Sequence, residues 1–361
     1  MTASPALPDS GLAWQVPGKG EALSLVRMPV RPPGAGEALV KIEACGLCGS
    51  DKLLRSGGFG DNVFPVVPGH EAAGTVIAVG SGDEYDLALV GQRVALYYID
   101  PDPEFAARSG RENLGADVRR MGVDFDGALS QYITRPIRSL VKGHGLPAQE
   151  LAVLSDAVAT PHHALQLAGV TSDQVVAVIG TGGIGSNAVQ LVALRGARTI
   201  AIGRSESKLA VARSLGAEST ISSSEGPDAI RAVAGGHVDV VVQCVGSPDM
   251  DQLALEIAGI GGTVVLVGAS VTPFAPTSMA LIQKELRVLG SRGFTHQDIA
   301  DVIALRLDGS LTLDHLLGDI RSFADAPDAF ETVGVGERLR TVIEPWTGYE
   351  GAPTPKNGER E

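Results

Sequence analysis

The chain has 361 residues, 44% hydrophobic and 20% charged, which is enough apolar material for two cored domains and too much for a disordered polymer. A formal net charge of −13, with no long basic cluster, argues against a nucleic-acid or anionic-membrane partner. No apolar run approaches the roughly 18 residues of a bilayer span, no basic-then-apolar leader opens the chain, and three cysteines make no disulfide framework, so a reducing, cytoplasmic address is expected.

In chain order, residues 1–10 are rich in Pro and polar groups and predict a loose tail, as do residues 347–361. Across residues 12–151, short β-like runs such as 38–44 and 74–80 are broken by glycine and proline. Strand following strand predicts a mostly β, barrel-like domain rather than βαβ units. Near Ala157 the rhythm changes. Strand-like runs at 175–179, 199–202, 238–242, 263–267 and 286–289 now alternate with helical ones, which predicts a parallel sheet covered on both faces. Residues 305–345 do not extend that alternation and are expected to return to the first domain. The expected division is 1–160 for the β-rich domain, 161–290 for the doubly wound α/β domain, 291–346 for the return and 347–361 for a flexible tail.

The strongest single pattern is the run Val175-Val176-Ala177-Val178-Ile179 entering Gly180-Thr181-Gly182-Gly183-Ile184-Gly185. Ile184, Ala188, Leu191 and Val192 then share one helical face, and Gly196 ends the helix. The glycines suit a tight exit from a strand, close approach of a pyrophosphate and close helix–strand packing. Unpaired N–H groups at the helix start favour the phosphates. An ordinary βα turn is the bland alternative, but the flanking strands make it a dinucleotide site.

Earlier in the chain, Cys45-Gly46-Leu47-Cys48 precedes Gly69-His70-Glu71. A Cys-x-x-Cys pair alone suggests zinc or redox chemistry. A structural zinc site wants a second pair, and a thioredoxin-like pair wants a small βαβ domain; neither is present in the sequence.

Taken together, Gly46-Leu47-Cys48-Gly49-Ser50-Asp51, Gly69-His70-Glu71, the glycine turn and Gly336-Glu337-Arg338-Leu339-Arg340-Thr341 resemble the zinc-dependent medium-chain dehydrogenase/reductase family, alcohol dehydrogenase type. The resemblance spans about residues 12–346 and implies a GroES-like catalytic domain joined to a Rossmann domain. It implies Cys48 and His70 as zinc ligands, with Cys45 a small buried neighbour. Asp156 falls at the third ligand position, four residues before Thr160, which by the same resemblance borders the nicotinamide. Zinc accepts an aspartate oxygen, and a thiolate plus a carboxylate carry the charge of two thiolates. The competing reading of Asp156 is a helix cap. Glu71 resembles a glutamate that stands behind the metal or joins it, and Asp51 an orienter of His70.

Many relatives hold a second zinc on four cysteines spaced Cys-x2-Cys-x2-Cys-x7-Cys. The matching positions here are Pro101, Glu104, Ala107 and Gly115, so that site cannot exist and other bonds must order its lobe. One catalytic zinc and no structural zinc are expected.

After the second strand of the doubly wound domain come Gly203-Arg204-Ser205, where NAD-binding turns usually place an acid for the ribose hydroxyls. No carboxylate repels a 2′-phosphate there, and Arg204 and Ser205 can bind one, which favours NADP(H) over NAD(H). Lys208 is expected to face solvent. By resemblance Arg340 contacts the pyrophosphate; the alternative is a surface pair.

The resemblance implies hydride transfer between NADP(H) and an alcohol, aldehyde or ketone, with zinc polarising the substrate oxygen. Ser50 matches the hydroxyl that relays the alcohol proton. The histidine that completes this relay in many relatives is replaced by Leu53, leaving ribose and water, or Lys52, to finish it. That departure leaves room for reduction of a conjugated enone or iminium, and a non-catalytic redox sensor is the reading from a different class. The remaining histidines, His144, His162, His163, His237, His296 and His315, are read as structural or solvated, with His162 and His163 nearest the site. Cys244 reads as a small buried residue, and Phe59, Tyr97 and Phe294 as candidate pocket walls. A homodimer or homotetramer is expected from the family, whose members pair through the edge of the dinucleotide domain.

Overall fold

The computed structural model describes residues 7–60, 63–80 and 84–346; of the expected tails, 1–6 and 347–361 lie outside the described residues, while Ser10 of the expected 1–10 already belongs to a strand. Two compact units emerge, one from residues 1–156 and 316–361, the other from 157–315.

The first unit opens with the antiparallel pair β1 (Ser10–Gln15) and β2 (Ser24–Pro29). Its centre is the long strand β3 (Glu37–Leu47), which leads into α1 (Gly49–Arg55) and then β4 (Glu71–Val79). The short helix α2 (Glu84–Leu87), β5 (Arg93–Leu96), β6 (Ile99–Asp100), α3 (Pro103–Ser109), β7 (Arg119–Arg120), β8 (Tyr132–Pro136), β9 (Leu140–Lys142) and α4 (Ala148–Val153) follow. The main sheet runs β16-β17-β3-β4-β5-β9, with β8 also on β3; β16 (Ile320–Ser322) and β17 (Thr341–Glu344) come from the end of the chain, with α12 (Ala326–Thr332) between them. Bulges between Leu39/Val40 and Ile42/Ala44 bend β3 against β4, and Gly74 sits where any Cβ would overlap the Lys41 carbonyl oxygen. Val40, Ile42, Val67, Val76, Leu96 and Leu129 fill the core beneath. The curvature holds the end of β3 and the start of β4 side by side, Gly46 opposite Glu71.

The second unit begins with α5 (Ala159–Ala168) and proceeds through β10 (Val175–Ile179), α6 (Gly183–Leu194), β11 (Arg198–Gly203), α7 (Glu206–Ser214), β12 (Ser219–Ser222), α8 (Gly226–Val233), β13 (Val240–Gln243), α9 (Pro248–Ile257), β14 (Thr263–Leu266), α10 (Ser278–Ile282), β15 (Arg287–Gly290) and α11 (His296–Leu307). All its strand pairs are parallel, in the order β12-β11-β10-β13-β14-β15. The order reverses between β10 and β13, so the crevice beyond their carboxyl ends is the switch point of a doubly wound sheet. Both sheet faces are apolar, as buried parallel strands require.

The units divide at 156/157 and 315/316, whereas the sequence reading drew 160/161 and 290/291. The difference at the second boundary has a physical cause. Helix α11 belongs with α5, where His163 Nδ1 and Asp298 Oδ2 lie 2.8 Å apart, so the return starts only at Leu316.

Candidate active site

In the first unit three side chains from separate segments converge. Cys48 precedes α1, His70 precedes β4, and Asp156 sits in a π-helical turn, Leu154–Val158, that continues α4 into α5. Their donor atoms all lie within 4.8 Å of one another. The π turn disposes of the helix-cap reading of Asp156, because the N-cap of α5 is Val158 and it makes no side-chain cap. Such turns widen a helix by one residue and are often found at functional sites.

The surroundings separate the two cysteines. Burial and Asp156 push the Cys48 thiol up, but Arg340 and His70 outweigh them and leave it below the usual thiol value. Burial drives Cys45 well above that value. Of the two, Cys48 is the one whose surroundings favour the thiolate. The His70 ring is oriented from both sides: Nδ1 lies 3.4 Å from Asp51 Oδ1, and Nε2 lies 3.2 Å from Ser50 Oγ and 3.8 Å from Asp156 Oδ2. The other Asp51 oxygen accepts from the Cys48 backbone N–H at 2.8 Å, so one carboxylate steadies two donors. Burial lowers the His70 pKa, yet Asp51, Asp156 and Cys48 carry it well above its usual range. Cys, His and Asp donors brought together in this way could hold a metal ion, and they are donor types that zinc accepts.

Glu71 stands apart from that trio. It is fully buried, lies under Gly46, and pairs through Oε2 with Arg340 Nη1 at 3.2 Å. Burial pushes its carboxyl up strongly, and Arg340 only partly pulls it back. Glu71 is not one of the three converging donors and is paired with Arg340 instead. Arg340 is likewise no surface residue. Only 6% exposed, it donates to the Leu47 carbonyl at 3.2 Å and approaches Asp156 Oδ2 at 3.7 Å.

Other expectations change. Lys52 donates to the Glu331 carbonyl at 2.8 Å, which directs its ammonium to α12. Tyr97 and Phe294 are fully buried core residues, not pocket walls. The aromatic beside the donors is Tyr98, whose ring centroid lies 5.6 Å from that of His70. Strand-like alternation sends neighbouring side chains to opposite faces, a signal that could have separated Tyr98 from Tyr97. Phe59 is half-buried beneath the Arg120 guanidinium at 4.7 Å.

The lobe at the four missing cysteines is ordered by its own bonds. Asp102 caps α3 by accepting from Phe105 N at 3.0 Å and also accepts from Asp117 N at 3.4 Å. Gly115, at φ +138, takes a conformation that side chains avoid and leaves room for that carboxylate. Arg135 clamps Asp100 at 2.7 Å and lies over Phe125.

In the second unit the glycine turn lies at the carboxyl end of β10. Gly180 has φ +96 and packs on Val245, just beyond β13. A Cβ on Gly185 would overlap the Gly180 carbonyl oxygen, so this glycine is required for α6 to approach the strand. A Cβ on Gly182 would meet nothing within 4 Å, and Gly182 offers no side-chain cap to α6. Open space in front of uncapped N–H groups fits a pyrophosphate. Gly183 and Ile184 form the first turn of α6, and Thr160 is buried on α5. At the end of β11, Gly203 is buried and Arg204 exposed. Ser205 has a local role: it caps α7 by accepting from Lys208 N at 3.4 Å and pairs with Ser207.

A second convergence, His162, Asp298 and Asp301, reads as a hydrogen-bond network. Arg195 Nη2 lies 3.4 Å from His162 Nδ1, and Asp298 is engaged by His163 and Thr295. A guanidinium at that distance opposes a bound cation. His237 pairs with Asp239 and His315 with Asn187.

Comparison with known proteins agrees with this geometry. The description "Alcohol dehydrogenase GroES-like domain" matches residues 34–147, and "Zinc-binding dehydrogenase" matches residues 183–307. The chain belongs to the zinc-binding dehydrogenase family. Among curated members of the family, the L-galactonate-5-dehydrogenase of Escherichia coli K12 is 30% identical over 85% of this chain and 90% of its own length. Sorbitol dehydrogenase 1 of Saccharomyces cerevisiae is 31% identical over 84% of this chain and 89% of its own. Among solved structures, a zinc-binding dehydrogenase-type protein of Sinorhizobium meliloti 1021 bound to NADP superposes with a TM-score of 0.85 at 28% identity, covering 94% of this chain and 100% of the other. Acetophenone reductase of Geotrichum candidum in complex with NAD gives 0.82 at 28% identity, covering 95% and 100%. Family membership makes this chain an alcohol dehydrogenase-type oxidoreductase using zinc and a nicotinamide cofactor. Among the described residues no helix is long and apolar enough to cross a membrane.

Proposed function

We propose that this oxidoreductase transfers a hydride between NADP(H) and a secondary alcohol or its ketone. The observation that carries the reading is the approach of Cys48, His70 and Asp156 to within 4.8 Å. A zinc ion held by these three would polarise a substrate oxygen and lower the pKa of an alcohol bound there. The chain's own groups do the rest. Asp51 fixes the His70 ring and the Cys48 backbone, and Arg340 with Glu71 holds the charge balance behind them. Ser50 Oγ, 3.2 Å from His70 Nε2, is the hydroxyl that would take the substrate proton; with Leu53 three residues later and Lys52 engaged on Glu331, no other side chain of that segment is offered to pass it on. Tyr98 supplies an aromatic wall beside His70.

The preference for NADP(H) is supported by Gly203 and by Arg204, which is exposed and makes no hydrogen bond or ion pair to a described residue. Pairing of two copies along β15 is supported by Ile260, Met279, Ile282 and Val288, apolar side chains left exposed at or near that edge strand. Reduction of a conjugated enone or iminium is the second reading, favoured by Leu53 in place of the relay histidine.

The test is a panel of polyols, simple secondary alcohols, aldehydes, ketones and enones with NADPH and NADH, run alongside metal analysis. Turnover on an alcohol–ketone pair, faster with NADPH, and about one zinc per chain are expected. Arg204→Ala should raise the KM for NADPH about 10- to 100-fold, the loss of one charge-assisted hydrogen bond, and leave NADH unmoved. Dinucleotide binding without turnover on any member of the panel would leave a sensor.

A further inference from the structure

The second residue of the glycine turn reaches across to the end of β11. A Cβ built on Gly203 would lie 2.6 Å from Thr181 Oγ1, 3.4 Å from Thr181 Cγ2 and 3.2 Å from Leu209 Cδ2. The first of these is shorter than real side chains tolerate. Thr181 has little room to yield: it is 5% exposed, and a β-branched side chain has few rotamers to choose from. Gly203, the last residue of β11, is also buried, with Thr181 and Leu209 of α7 against it. Its glycine character therefore answers to crowding from Thr181, since its backbone is not left-handed, unlike that of Gly180 in the phosphate turn.

Position 203 is where a dinucleotide fold places the acid that accepts ribose hydroxyls. We infer that Thr181 is a specificity-determining residue: its side chain occupies the space a residue at 203 would need. It thereby keeps the end of β11 free of a carboxylate and open to a phosphorylated ribose beside Arg204. The inference rests on the NADP(H) reading above, and adds that the preference is held by a pair of positions. A carboxylate introduced at Gly203 alone must push the Thr181 side chain aside.

The experiment is a cycle of four proteins: parent, Thr181→Ala, Gly203→Asp and the double variant. Two quantities are read on each, the melting temperature of the cofactor-free protein and the Kd for NADPH and for NADH by fluorescence titration. Gly203→Asp alone should lower the melting temperature and weaken both dinucleotides. Adding Thr181→Ala should restore the melting temperature, tighten NADH about tenfold or more relative to the single variant, and leave NADPH about 10- to 100-fold weaker than in the parent. If Gly203→Asp does not fold, Gly203→Ala with and without Thr181→Ala reports the same crowding through the melting temperature. Additive effects at the two positions, or a switch to NADH as complete in Gly203→Asp as in the double variant, would overturn the role of Thr181. A parent that binds NADH more tightly than NADPH would instead overturn the NADP(H) reading, while the melting temperatures still report the crowding.

Discussion

A single nitrogen of Arg340 serves two partners: Nη1 lies 3.2 Å from Glu71 Oε2 and 3.2 Å from the Leu47 carbonyl oxygen. Both side chains are buried away from water, and beside Arg340 no other cation lies against Glu71 within ion-pair distance among the described residues. Arg340→Met should cost about 3–5 kcal/mol in urea unfolding, because it strands a buried carboxylate. Glu71→Leu in the same chain should recover part of that loss, with a coupling of at least about 1 kcal/mol in the double-mutant cycle. Strictly additive losses would mean that Arg340 and Glu71 do not act as a pair.

Asp156→Ala should leave the fold intact and lower the zinc content of purified protein in the presence of a competing chelator. Asp156→Cys, which restores an anionic zinc donor, should retain the metal. Full zinc occupancy in Asp156→Ala would reduce the donor set to Cys48 and His70.

Ser50→Ala should slow alcohol oxidation about 100-fold at neutral pH, the lower range for a lost proton-transfer group, and move the pH profile upward. Metal content should not change, since Ser50 is not one of the three converging donors. An unchanged rate across the pH range would remove the hydroxyl from the reaction.

His315 gives a pH-dependent stability. Burial, only partly opposed by Asp314, takes its pKa down from 6.5 to about 4. The unfolded chain therefore binds more protons than the folded one between those two values. The neutral ring's contribution is present above about pH 6.5 and is lost as pH falls toward 4, at most about 3 kcal/mol. Urea midpoints for His315→Gln should fall less steeply over that window than those of the parent. Parallel curves would show that His315 does not govern this acid transition.

Much of the fold was legible because its signals are local. The switch from strand-after-strand to alternating elements, and the glycines of the phosphate turn, each have a short-range cause. The donor trio was legible only through family resemblance, since Cys48, His70 and Asp156 are brought together by β3, β4 and a π turn that no periodicity announces. Arg340 was harder still. Nothing near it in sequence says that β17 will pair with β3 and carry it beneath Cys48. The same limit misassigned residues 291–315: the pattern of α11 marks a helix, but its partner α5 lies more than a hundred positions earlier.

The Asp102 lobe changes what can dismantle this protein. A loop gathered on metal comes apart when a chelator strips the ion. This one is gathered on a carboxylate whose pKa is held down by the backbone N–H groups it accepts, foremost that of Phe105. Its vulnerability is therefore to strong acid, which protonates the anchor, and a chelator has nothing there to remove. Demetallation and lobe opening become separate events. On the proposed donors Cys48, His70 and Asp156, a chelator would act on side chains that take no part in anchoring this lobe.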